Sequence, residues 1–169
     1  MWKPLVVYEE LINMNDGDIL FWADAGCTVP SKKETINKMK EYINIVNKHE
    51  TGILAFRNPF QERVWTKGDI FNHFDATYET KQYGGRQMTA NRFVIRKCAE
   101  SMEAVKLWWE TAKHHPHLFS DQQSKVPNFE KFRENRHDQS VFSMVCKKYK
   151  VAEDFNWDEI AIKATRIRG

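Results

Sequence analysis

A run of apolar residues, Ile19-Leu20-Phe21-Trp22-Ala23, stands between two acidic turn clusters, Asp16-Gly17-Asp18 and Asp24-Ala25-Gly26. The run is too short for an independent helix, and Gly and Asp on both sides stop it from growing. It is expected to form a strand buried on both faces, which requires helices to cover each side of a sheet. The remaining sequence supplies them. Pro4 suits the first turn of a helix through Leu5–Leu11. Ser31, with Glu34 three residues on, reads as a capping box opening a helix whose buried stripe is Ile36, Met39, Ile43 and Val46. Gly52–Phe56 is a second strand and Thr66–Phe74 a short helix, with Thr66-Lys67-Gly68-Asp69 as its start. Arg86–Arg96 is a third extended segment, Ser101–His114 a long helix, and Pro116–Asn128 a loop. Residues 158–168 form a last strand or helix. Strands alternate with helices and nothing repeats, so the expected architecture is α/β, one layered domain over residues 1–169.

Composition narrows the function classes. With 41% hydrophobic residues, 11 Phe and 6 Trp, the chain has material for a core and is unlike a disordered tail. The net charge of +3 is scattered, apart from Lys147-Lys148 and the Arg166/Arg168 tail. That distribution suits small anionic ligands and gives no stripe for a nucleic acid partner. Cys27, Cys98 and Cys146 are odd in number and lack C-x-x-C spacing, as expected of reduced thiols in a cytoplasmic protein. No apolar run approaches a membrane span and no secretory signal pattern opens the chain.

The densest chemistry lies in Arg136-His137-Asp138-Gln139-Ser140, where an irregular charged segment becomes an apolar helix through Val141, Phe142, Val145 and Tyr149. A carboxylate at a helix N-terminus is favoured by unpaired backbone N–H groups. A cation, an imidazole, an acid and an amide there can serve a polar ligand. Asp24 comes directly after the first strand, where open α/β sheets hold their ligands. His114-His115-Pro116-His117 is not expected to bind metal, because neighbouring histidines point to different helix faces. Arg57-Asn58-Pro59 follows a strand and could border a site.

Trp2-Lys3-Pro4, then Gly17 through Cys27, then Gln87 through Arg96, then Arg136 through Phe142, occur in an order that resembles glycosyltransferase-like proteins of the nucleotide-diphospho-sugar transferase (GT-A) fold. The similarity covers roughly residues 2–150, leaving 151–169 as a C-terminal extension. The fold it implies is a GT-A-like layered sheet with flanking helices, N-terminally truncated, because such domains place a nucleotide-binding portion ahead of the Trp-Lys-Pro segment.

The resemblance implies transfer of a sugar from a nucleotide-diphosphate donor to a hydroxyl of a glycan acceptor. Its alternative is a non-catalytic remnant that binds sugar or nucleotide. Asp24 falls on the first acid of the Asp-x-Asp metal and nucleotide motif, with Gly26 where the second acid usually stands. A divalent cation, Mn or Mg, would then rest on Asp24 alone. Asp138 would orient and deprotonate the acceptor, with His137 and Arg136 tuning its charge. Gln139 and Gln87 would hold sugar hydroxyls, with Asn91 nearby, and Lys3 would face the phosphates. An incomplete sheet edge would invite a second copy of the chain to pair as a homo-oligomer.

Overall fold

The computed structural model of the protein describes residues 2–154 and 161–165. The order of elements is α1 (Lys3–Asn13), β1 (Ile19–Ala23), β2 (Cys27–Thr28), α2 (Lys33–Lys48), β3 (Ile53–Gln61), α3 (Glu62–Trp65), α4 (Gly68–His73), β4 (Arg86–Arg96), α5 (Ala99–His114), a 3-10 turn (Pro116–Phe119), α6 (Asp138–Tyr149), β5 (Ala152–Asp154) and β6 (Lys163–Ala164). The fold is mixed α/β. Its main sheet has the order β1-β4-β3-β5, with β4 antiparallel to both neighbours and β5 parallel to β3. A second, two-stranded sheet pairs β2 with β6.

Alternation along the central strands divides the core into two layers. On one face Ile53, Ala55, Phe93 and Ile95 pack with Val7 and Leu11 of α1, Val105 and Trp108 of α5, and Val141, Phe142 and Val145 of α6. On the other, Leu54, Phe56 and Val94 pack with Tyr42 and Val46 of α2. Trp108 is fully buried and its ring meets Phe142 at 4.8 Å between centroids.

β1 is an edge strand. Its first four residues are half-buried and Ala23 is exposed, so the expectation of burial on both faces is corrected. The cause is topological, since among the described residues β4 is its one partner in the sheet. Both faces still meet apolar neighbours, which accounts for the unbroken apolar run. Leu20 and Trp22 join the first layer, and Ile19 and Phe21 join the second.

α2 also departs from expectation. Lys32 is its N-cap, without a side-chain cap bond, so Ser31 and Glu34 form no capping box. The Lys32 N–H closes a tight turn on the Pro30 carbonyl at 2.9 Å and moves the helix start past Ser31. The buried stripe is Thr35, Tyr42 and Val46, while Ile36 is 55% exposed. At 100° per residue Ile36 lies about 120° around the helix from Tyr42 and misses the sheet.

Residues 155–160 and 166–169 lie outside the described residues, and with them most of the expected last element and both tail arginines. Within residues 158–168, the described pair Lys163–Ala164 forms β6. No helix among the described residues is long and apolar enough to cross a membrane.

Two irregularities in the central strands set up the functional groove. β3 and β4 lose register between Arg57 and Gln61, around Pro59, which has no N–H to give a ladder. The same pair slips between Ala55 and Phe56, which face Phe93 and Thr89 respectively, so that one step along β3 spans a bulge of β4 at Ala90 and Asn91. The strand segments freed from the ladder carry side chains and backbone groups towards the start of α6.

Candidate functional site

Lys3 projects from the first turn of α1 and is only 8% exposed. Its ammonium reaches Asp24 Oδ2 at 3.0 Å and Asp138 Oδ2 at 2.8 Å, and donates to the Ala90 carbonyl at 3.1 Å. One cation thus joins the end of β1, the bulge of β4 and the beginning of α6. The strand ladder stops where these groups meet, and the Asp24 N–H makes a last bond to the Asn91 carbonyl at 2.9 Å. Asp24 is held from its other side by Trp22, whose indole N–H donates to Oδ1 at 2.9 Å. Trp22 is itself fixed by stacking on Phe93, with centroids 5.8 Å apart and planes within 4°.

These residues border a groove of about 980 Å³. Lys3, Asp24, Asn91, Arg136, His137, Asp138 and Gln139 all line it, joined by Asn58, Pro59 and Phe60 from the irregular end of β3. Gln139 Oε1 accepts from the freed Ala90 N–H at 3.4 Å, and its Nε2 donates to Gln87 Oε1 at 2.7 Å. Asn91 Oδ1 accepts from the Thr89 hydroxyl, while its Nδ2 makes no hydrogen bond among the described residues.

Gln87 and Gly26 stand elsewhere. Gln87 is fully buried beneath the floor, where its Nε2 faces Thr66 Oγ1 at 3.0 Å and Glu62 Oε1 at 3.2 Å. It touches the groove through Gln139 and acts there by fixing that amide. Gly26 takes part in the turn after β1, where its carbonyl accepts the Thr165 N–H at 2.9 Å.

His137 and Arg136 flank Asp138 in sequence but turn to other partners. His137 Nε2 meets Asp121 Oδ1 at 2.7 Å. Its backbone, φ 51° and ψ −119°, occupies a region that side-chain-bearing residues rarely adopt. Such strain persists where surrounding structure enforces it, commonly at functional sites. Here the Arg136 N–H and the Trp65 carbonyl are both tied to Ser140 Oγ, at 3.0 and 2.7 Å, which fixes the chain on either side of the bend. Arg136 pairs with Glu134 at 2.9 Å, and its guanidinium lies 4.2 Å over the Trp65 ring.

The loop carrying Asp121 is pinned by Lys67-Gly68-Asp69. The Lys67 ammonium, 2% exposed, is spent on the carbonyls of His117, Ser120 and Gln122. Its burial pulls the pKa below the ordinary lysine value. Asp69 Oδ1 accepts the N–H groups of Lys125 and Val126 at 2.8 and 3.1 Å.

Sequence reasoning missed the buried pair below the groove. Glu62 receives Thr66, Ser143 and Gln87, and meets the Lys147 ammonium at 2.8 Å. A signal was present, since Ser140, Ser143 and Lys147 recur at helical spacing inside an otherwise apolar helix.

The donor set does not suit a divalent ion. Asp24 has one oxygen on the Trp22 N–H and the other on an ammonium. Among the described residues no group of three or more His, Cys, Asp or Glu side chains could hold a metal. Cys27, beside the site, offers no substitute ligand, because burial pushes its thiol above the ordinary value and keeps it protonated. What the arrangement offers is a buried cation between two carboxylates, at the wall of a groove also lined by amides, Asp121 and the Arg136–Glu134 pair. That combination can accept a proton and hydrogen-bond hydroxyl groups.

No family model matches this chain, and no curated protein or solved structure gives a significant match.

Proposed function

We propose that the groove transfers a glycosyl group from a nucleotide-diphosphate donor to a hydroxyl of a glycan acceptor. The observation that carries this reading is the Lys3 ammonium set between Asp24 and Asp138 at the wall of a groove of about 980 Å³. Asp138 takes the proton of the acceptor hydroxyl as its oxygen bonds to the anomeric carbon. The bond from that carbon to the diphosphate oxygen breaks, and its electron pair leaves with the diphosphate. Lys3 and Arg136 are the cations of the groove, and as the diphosphate leaves they would turn to it from their carboxylate partners, in the role a divalent ion would otherwise fill. Asn91 and Gln139 present amides to the sugar hydroxyls, with Gln87 holding Gln139 from below. The GT-A-like arrangement and the glycan acceptor belong to this proposal, supported by the ordered motifs of the sequence.

The test is transfer from a panel of nucleotide-diphospho-sugars by the wild-type chain and by Asp138→Asn. A positioned base contributes about 100-fold or more, so the variant should lose at least about that factor while still folding, with Asp24 left to pair Lys3. Near wild-type turnover would remove Asp138 from the mechanism. Diphosphate-dependent binding without turnover in the wild type would replace transfer by a binding function.

A further inference from the structure

A second cleft, of about 570 Å³, adjoins the groove and is lined by Pro59, Phe60, Gln61, Val64, Trp65, Lys131, Phe132 and Arg133. Pro59 and Phe60 belong to both spaces. Trp65 forms part of the partition, since it borders the cleft while the guanidinium stacked on it, Arg136, borders the groove. We infer that this cleft binds the acceptor, and that the acceptor is an anionic sugar, carrying a phosphate or carboxylate, whose ring lies on Phe60 beside Trp65. This rests on the transfer reading above and adds the chemical class of the acceptor to it.

The aromatic side of the cleft is unusual for an outer surface. Phe60 is 45% exposed although it belongs to a strand, because the loss of register at Pro59 swings it out of the ladder. Its ring contacts Trp65 at a centroid distance of 5.2 Å and 57° between planes. A flat ring face with its negative quadrupole attracts the weakly positive C–H face of a pyranose, while the hydroxyl edges stay wet. The volume is on the scale of small-molecule sites.

Charge decides the class. Lys131 and Arg133 are the charged residues of the cleft, both are cations, and both are exposed. Neither side chain makes an ion pair among the described residues. Of the two acids that flank them in sequence, Glu134 is paired with Arg136, and Glu130 makes no ion pair with either cation among the described residues. A neutral glycan takes only ordinary hydrogen bonds from these two cations, whereas a phosphate or carboxylate answers them with stronger, charge-assisted ones. An anion held there leaves the remaining hydroxyls of the same sugar near the shared wall at Pro59 and Phe60, which also borders the groove that holds Asp138.

The experiment is calorimetric titration of the whole chain with glucose 6-phosphate, glucuronate and glucose, at low and high salt. At least one anionic sugar should bind, with glucose at least about tenfold weaker, the scale of one charge-assisted contact. Salt should weaken the anion and spare glucose. Arg133→Ala should cost the anion about tenfold, while Lys106→Ala, which removes an exposed cation on α5, should cost nothing. Phe60→Ala should weaken every ligand that binds. The relative affinities of glucose 6-phosphate and glucuronate identify phosphate or carboxylate as the anion. Glucose binding as tightly as both anions, failure of both anions to bind, or an unchanged anion affinity in Arg133→Ala would overturn the inference. Titration of a nucleoside diphosphate into the wild type and Lys3→Met keeps the two readings apart. Anionic sugars that bind when the diphosphate does not would leave the cleft standing and remove the donor site.

Discussion

Glu62 and Lys147 form a buried ion pair at 2.8 Å, with side-chain exposures of 0% and 4%. Every oxygen of the carboxylate is engaged, and the ammonium also donates to the carbonyls of Tyr83 and Gly84 at 3.0 and 2.9 Å. Removing one partner leaves an unpaired charge in the core. Lys147→Met is therefore expected to lower stability by about 3–5 kcal/mol, read by urea denaturation. The double variant Glu62→Gln/Lys147→Met should recover part of that loss. A double variant no better than the single would show that packing, rather than the stranded carboxylate, dominates.

His137 offers the opposite result. Its φ of 51° suits glycine, and its partner Asp121 is 82% exposed, so substitution removes only a weak, solvent-screened pair. His137→Gly should stabilise the fold by up to about 1 kcal/mol through relief of backbone strain, whereas His137→Ala should give no gain. Thermal unfolding of the two variants side by side checks this. Equal melting temperatures would mean that the bend costs nothing.

Acid should weaken the protein through the histidines beside α4. Burial, then the nearby His115, His117 and Lys148, pulls His73 below its ordinary value of 6.5, with Asp75 opposing. His117 is pulled the same way by its burial and by Lys125 and Lys67. The folded chain therefore binds fewer protons than the unfolded chain between the lowered and the ordinary values, and stability rises with pH across that window. Melting temperature should fall as pH drops from about 7.5 to about 5.5, and His73→Asn should flatten the slope. A slope unaltered by that substitution would assign the acid sensitivity to other groups.

Chelation should not matter to the proposed transfer. Because the Lys3 ammonium stands between the two carboxylates, transfer in excess EDTA is expected to match transfer in Mn²⁺. Lys3→Met should reduce the rate by about 100-fold, the scale for losing one preorganised electrostatic contact. An enzyme silenced by EDTA and restored by Mn²⁺ would instead put a metal on Asp24.

The polar residues of the groove were legible because each stands where a hydrophobic pattern breaks. Asp24 ends an apolar run, Lys3 opens a helix, and Arg136 through Gln139 span the start of another. Position in the chain was enough to mark them as ends of elements, which is where ligands gather. The role of Gln87 was not legible, since local sequence does not reveal that α6 packs over that strand and buries its amide. The edge position of β1 was hidden for the same reason, as an apolar run looks alike whether strands flank it on one side or two. The outward swing of Phe60 depends on which residues of β4 it fails to pair with. The phase of α2 shifted because a turn at Pro30 delays the helix, and a sequence stripe fixes spacing but not which side meets the sheet.

Lys3 and Asp138 come from opposite ends of the described chain, and Asp24 from a third place. A single ammonium gathers all three, so no partly folded form and no isolated half of the domain can hold the charge arrangement of the groove. The site reports on the completeness of the fold. Under the proposed transfer, reactivity would arrive late and all at once, after α1 has docked and α6 has formed, and would disappear at the first loosening of either.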